Sequence, residues 1–210
     1  MQRYFLIVSP EHRAFGGPPV GWWLDDYFGW LGRPYYLALQ SAAAAHGSEP
    51  QALQITQVMT DRPRRDIKIG RQRVQFFVKR RIERTATVLP ANAFAPLRVS
   101  TPESTAFDLI RYESRIGGIG GVIETLALLL PLMRPGELTR VLNAEGEPTI
   151  AQRMGYIFER LGATGLVDAV RQCLPRRLAP VPLSSPRAYP AGEGEVKQWR
   201  VLDNSGEFDS

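Results

Sequence analysis

Three groups of residues in this chain have types and spacings that could do chemistry. The first is VSTPESTAFD, Val99 to Asp108, which sets Glu103 and Asp108 five residues apart behind Ser100 and Thr101. Two carboxylates divide acid and base work only when they converge on one reacting atom. Thr101 before Pro102 instead has the form of a helix N-cap followed by proline at the first helical position. In the alternative register Ser100 caps and Glu103 completes a capping box. Both registers put Glu103 in the first turn, where its charge meets the helix dipole, and turn Asp108 well away from it. The stretch starts a helix. The glycines that follow, GGIGG from Gly117 to Gly121, lack a phosphate loop's lysine and the G-x-G-x-x-G spacing. They are expected to permit a tight turn before an apolar helix.

The second group is Asp66-Ile67-Lys68, the latter half of a restriction-enzyme-like nuclease site, in which two acids hold Mg²⁺ and a lysine orients water. No acid-bearing strand stands at a convincing distance upstream: Glu49 precedes Pro50 in a loop. A nucleotidyltransferase site fails similarly, because no Asp-x-Asp follows Gly47-Ser48. His12 and His46 are far apart and belong to no HExxH, which argues against zinc. The single cysteine, Cys173, excludes an internal disulfide and a Cys-based zinc site. A Ser-His-Asp triad has no nucleophile elbow to start from. His46, at a helix end, reads as a dipole partner or cap. No catalytic residue, metal or cofactor is expected.

The third group is basic. Between Arg62 and Arg84 stand ten basic residues and two acids, Asp66 and Glu83. Arg62, Arg64, Arg65, Arg71, Arg73, Lys79, Arg80 and Arg81 are the candidate contact residues. In a hairpin, Arg71, Arg73, Lys79, Arg80 and Arg81 gather near its turn and its far end. Such a cluster suits RNA or DNA phosphates, an acidic protein face, or an edge guarded by solvated charge. The sequence leaves the three open. The chain carries a formal charge of +5, nearly all its cations being arginines, which suit bidentate contacts to phosphate or carboxylate.

The elements that must hold these groups follow from periodicity. With 210 residues, 44% apolar and 22% charged, the composition is that of an ordinary globular protein. The start lacks the pattern of a signal peptide. The longest apolar run, Val122 to Met133, contains Glu124 and Pro131 and is too short to span a bilayer. The reading is a cytoplasmic protein without membrane contact. Tyr4 to Val8 reads as a strand. Apolar spacing from Val20 predicts a helix to Leu31, with Trp22 and Trp30 off its buried stripe, and these two suggest a self-associating patch. Pro34 is placed to open a second helix ending at Gly47. LQITQVMT and the paired runs of DIKIGRQRVQFFVKRRI predict strands around a Gly70-Arg71-Gln72 turn, and TATVLP and LRVS two shorter ones. Helices are expected over 103–112, 121–133, 136–143, 150–161 and 165–174. A proline-rich connection then leads to a closing strand, VKQWRVLDN, returning to the sheet. The class is α+β: a mixed β-sheet flanked by helices, with a C-terminal helical layer and a returning C-terminal strand.

Several of these segments together resemble one family. STPESTAFDLIRY with GGIGGV, YYLALQSAAAAHG, QVMTDRPRRDIKIGRQRVQFFVKR, IAQRMGYIFERLG and WRVLDN are similar, in order, to the AbiEi antitoxins of type IV toxin–antitoxin systems and their transcriptional-regulator relatives. The resemblance covers Tyr4 to Asn204. It marks Tyr36, Ser41, His46, Gly47, Thr101, Pro102, Glu103, Thr105, Asp108 and Gly118 as motif positions of structural role. It implies a non-enzymatic antitoxin whose counterpart is an AbiEii-like nucleotidyltransferase toxin, opposed at a shared target without a required tight complex. The alternatives are a DNA-binding regulator of its own operon and, more remotely, the nuclease above. Family members open with a winged helix-turn-helix; the expectation here is that Tyr4 to Val8 is the strand where such a module ends, with no room for its three helices. Residues 1–33 then read as the remnant of that junction, 34–175 as the antitoxin domain, and 176–210 as the proline-rich connection and closing strand.

Overall fold

The computed structural model describes residues 4–47, 55–91, 94–185, 195–196 and 198–208. Glu49 and Pro50 lie outside them, as does 186–194 of the proline-rich connection. The chain divides into two compact units, Met1–Thr101 and Pro102–Ser210.

A six-stranded mixed sheet organises the first unit. Its strands are β1 (Tyr35–Leu37), β2 (Ile55–Thr60), β3 (Ile67–Ile69), β4 (Gln72–Val78), β5 (Thr87–Val88) and β6 (Val99–Ser100), in the order β3-β4-β2-β1-β6-β5. After β2 the chain crosses to the edge as β3 and returns as β4, antiparallel to β3 and parallel to β2. The turn falls at Gly70-Arg71, as the sequence predicts, with Gly70 at φ +58°. Helix α1 (Leu24–Leu31) buries Leu24 and Phe28, and Phe28 stacks on Tyr35 at 4.6 Å. Trp22 and Trp30 stand outside the buried set, 37% and 42% exposed.

Two expectations are corrected here. Tyr35 to Leu37, expected to open a helix, form a strand paired with β2, and α2 is only Leu39–Ala45. All three residues are buried, and β1 lies between β2 and β6, where a central strand is covered on both faces. Tyr4 to Val8 adopt no ladder. The Tyr4 ring packs on Tyr27 and Trp30 at 5.3 and 5.5 Å, and Leu6 packs against the α1 core. Tyr4 and Leu6 pack without strand pairing, while Phe5 and Ile7 are exposed.

The second unit contains α3 (Pro102–Arg111), α4 (Ile119–Leu129), α5 (Pro135–Glu145), α6 (Pro148–Arg160) and α7 (Thr164–Cys173). All five stand close to their predicted ranges, differing mainly at their ends, the least determined part of a helix. Helix α3 is buried from Glu103 through Ile110. The closing strand departs from expectation. β9 (Val201–Leu202) does not join the six-stranded sheet; it pairs with β7 (Val181–Pro182) and β8 (Glu195–Val196) in a small sheet of its own. Helix α6 anchors this segment. Trp199, fully buried, lies on Gly155, where an added Cβ would stand 2.1 Å from the indole ring. Its Nε1 donates to Glu159 at 2.7 Å, and Gln152 donates to the Trp199 carbonyl at 2.8 Å. Among the described residues, no helix is long and apolar enough to cross a membrane.

Candidate nucleic-acid interface

The basic residues fall at the two ends of β4. At the turn end, Lys68 and Arg73 are register partners across β3 and β4, an unfavourable like-charge pair. Asp66 relieves it, accepting from Arg73 at 2.6 and 3.0 Å. This commits the carboxylate once weighed as a metal ligand. Arg71 is exposed at the turn itself. At the far end, the chain leaves β2 through Asp61 and Arg62 and leaves β4 through Arg80 and Arg81, so exposed Arg62, Arg80 and Arg81 share one side of the sheet. Asp61 sits among them, 3.0 Å from Arg33 and 3.9 Å from Arg62. Strand β4 separates the ends by roughly 20 Å, about six base-pair steps of duplex.

Not every predicted contact residue belongs to this face. Lys79 is 1% exposed. It lies two residues beyond Phe77 and continues its inward side, and its amide donates to Thr60 at 2.9 Å. It is removed from the contact set. Arg64 is half-buried over the Tyr27 and Phe28 rings, with Nη1 donating to the Tyr27 hydroxyl at 3.1 Å. Its guanidinium is a packing element of α1. Exposed Arg65, Arg71, Arg80 and Arg81, with Arg62 and the Asp66-bound Arg73, remain.

The motif residues serve the fold. Tyr36 is buried with its hydroxyl directed at Thr85, 3.5 Å away. Ser41 accepts from the Gln57 amide at 2.9 Å and donates to Ile55 at 3.3 Å, tying α2 to β2. The His46 ring meets the Ser100 carbonyl at 2.7 Å, so its partner is β6 rather than its own helix, and Gly47 follows at φ +81°. Since α3 begins at Pro102, Thr101 holds the N-cap position and the Ser100 capping-box register is not adopted. Glu103 turns elsewhere. It is 3% exposed and accepts from the Arg134 amide at 2.8 Å, placing a negative charge at the N-terminus of α5. Thr105 and Asp108 are fully buried, and Asp108 does not converge with Glu103 on a cleft. Gly118 adopts φ +92° as the residue before α4.

Sequence reasoning missed two structural devices. Helix α2 has no capping side chain of its own. Gln57, from β2, supplies it: its Oε1 accepts from the Gln40 amide and its backbone carbonyl from Ala38, both at 2.9 Å. No local pattern announces a cap from a strand. The other is a buried pair, Glu113 and Arg153, 3.4 Å apart. Glu113 also accepts from the Ser185 amide at 2.8 Å, and Arg153 donates to the Leu183 carbonyl at 2.7 Å. Burial pushes the Arg153 guanidinium below its ordinary pKa, and the Glu113 carboxylate opposes that shift.

The family of the AbiEi antitoxin C-terminal domain matches residues 36–160, more than half of the chain. The chain belongs to the AbiEi antitoxin family. The match starts on β1 at Tyr36 and ends with α6 at Arg160, so the AbiEi segment contains the basic hairpin and the buried α3 motif together, and the protein carries an antitoxin domain. The fold is similar to that in the crystal structure of the RV2827C protein from Mycobacterium tuberculosis, with a TM-score of 0.57 and 16% identity over 86% of this chain. The chain spans 66% of that protein, just under two thirds. A comparison with curated proteins gives no match.

Proposed function

We propose that this AbiEi-family protein is a non-enzymatic antitoxin that counteracts a nucleotidyltransferase toxin of the AbiEii type, and that the β3–β4 hairpin contacts nucleic acid in doing so. The observation that carries the reading is the placement of exposed Arg71 at one end of β4 and Arg80 and Arg81 at the other. Arginines at that separation can meet successive phosphates of one nucleic acid. The motif acids contribute nothing to an acid–base site: Glu103 holds α5, and Asp66 is bound by Arg73.

The test is growth rescue. Cells expressing the partner toxin are complemented with the wild-type chain or with Arg80→Glu/Arg81→Glu. The reading expects the double variant to be folded and to rescue poorly; full rescue makes the hairpin a solvated edge. Regulation of its own operon would use the same face on duplex DNA. It is distinguished by tighter binding to DNA from its own promoter than to random duplex at equal salt.

Self-association through Trp22, on a 3-10 turn that precedes α1 where the sequence predicts continuous helix from Val20, and Trp30, on α1, completes the reading. Both indoles are partly exposed, but Trp22 stacks on Phe94 at 4.1 Å while Trp30 joins Tyr4 and Tyr27. A sedimentation series checks it. The expected result is a concentration-dependent dimer that Trp30→Ser weakens.

A further inference from the structure

The first unit contains a groove of about 1000 Å³ whose walls are Val20, Leu24, Leu37, Ala44 and Leu97. At this size and with this lining it has the character of a ligand site. Its charged groups are of one sign, beside the neutral Ser41, Thr56 and Gln72. Lys68 and Arg71 line it from the β3–β4 turn, and among the described residues no Asp or Glu does. His12 also lines it. The His12 Nε2 is itself closed off from solvent and has no hydrogen-bond partner among the described residues.

The side of the groove bearing these groups is built in advance. The loop after His12 is pressed against the hairpin turn: a Cβ on Gly16 would stand 2.3 Å from the Gly70 Cα, and one on Gly17 would stand 2.5 Å from the Ile69 side chain. The Gln72 amide locks the contact, donating to the Gly17 and Pro18 carbonyls at 3.0 and 3.2 Å. The backbone that carries Lys68 and Arg71 is therefore fixed against this loop before any ligand arrives, which lowers the cost of binding.

We propose that this groove binds a small amphipathic anion, an apolar body ending in a carboxylate or phosphate, with the body against Ala44 and Leu97 and the head at Lys68 and Arg71. The site shares only Arg71 with the nucleic-acid face, so it stands or falls independently of the proposed function.

Trp22 reports on the groove, because its ring lies 5.0 Å from His12. Decanoate, decyl phosphate, decanol and decyltrimethylammonium are titrated below their micelle concentrations, following tryptophan emission and heat. The expected result is that one or both anions bind at least about tenfold tighter than decanol, with the cation weakest. The tighter anion identifies the head. Lys68→Glu/Arg71→Glu should weaken the anions by about tenfold or more, while Arg80→Glu/Arg81→Glu, at the far end of β4, leaves them unchanged. Ala44→Trp, folded by circular dichroism, should abolish binding of all four. Equal affinity for decanol and decanoate, no binding by any probe, or equal losses from both charge-reversal pairs would overturn the proposal. Failure here leaves toxin rescue unaffected, and failure of rescue leaves this titration unaffected.

Discussion

The β3–β4 hairpin and helix α3 are both rich in polar residues, yet they treat them in opposite ways. The hairpin forms one edge of its sheet and leaves Arg71, Arg80 and Arg81 in solvent. Helix α3 contacts α4, α5 and α6, and its Glu103, Ser104, Thr105 and Asp108 are buried. An edge has a free side on which charge costs little; a helix with neighbours all round must give every polar group a partner. The difference teaches that in this chain polarity marks construction inside the helical unit, whereas on the sheet edge it stays in solvent, where the proposed contacts lie.

The comparison can be broken most severely at the buried pair of the helical unit. Glu113→Ala leaves Arg153 with an uncompensated buried charge and removes the acceptor for the Ser185 amide. The expected loss is about 3–5 kcal/mol in chemical unfolding. A loss below about 1 kcal/mol, typical of an exposed pair, would erase the contrast.

Glu103 gives the next effect. Glu103→Ala removes the acceptor for the Arg134 amide and the charge at the α5 N-terminus, and is expected to cost about 2 kcal/mol. Glu103→Gln keeps the hydrogen bond without the charge and should recover part of the loss. Rescue of the toxin by either variant should follow the amount of folded protein, because this residue builds the domain and does not touch the target.

A smaller effect comes from the contact between α6 and the closing segment. Burial pushes the Asp203 carboxyl up, but hydrogen bonds from the Tyr156 hydroxyl at 2.6 Å and from Ser205, with the charge of Arg160, hold it below its ordinary pKa. A carboxylate held low stabilises the fold above its unfolded pKa, and that contribution is lost as pH falls through the depressed folded value. Tyr156→Phe is therefore expected to cost about 1 kcal/mol near neutral pH. The difference should shrink below about pH 4 as Asp203 protonates. Paired urea titrations at the two pH values check it.

The smallest effect belongs to the hairpin. Arg73 and Asp66 are 53% and 32% exposed in their side chains, so Asp66→Asn should change stability by less than about 1 kcal/mol. It frees Arg73 and should increase affinity for nucleic acid slightly, where a construction role would give only a loss.

The contrast was partly legible beforehand. Alternating residues around Gly70 showed the hairpin, and the apolar stripes of the last five helices showed their positions. The fate of single charges was less visible. Lys79 looks like its neighbours Arg80 and Arg81, and only its two-residue spacing from buried Phe77 signals that it turns inward. The strand at Tyr35 to Leu37 was hidden because Pro34 opens helices as readily as strands and the pairing partner lies more than twenty residues on. Gln57 as the cap of α2, and Trp199 seated on Gly155, are contacts between distant segments. No local period carries them.

Salt titration of nucleic-acid binding tests the central claim most directly. Arg71, Arg80 and Arg81, as three phosphate contacts, contribute about −2.7 to the slope of log affinity against log salt on duplex. Arg71→Glu/Arg80→Glu/Arg81→Glu is predicted to flatten the slope by about that amount with an unchanged melting temperature. A triple variant that keeps the wild-type slope would contradict the account, because the charge that meets nucleic acid would then lie elsewhere on the molecule.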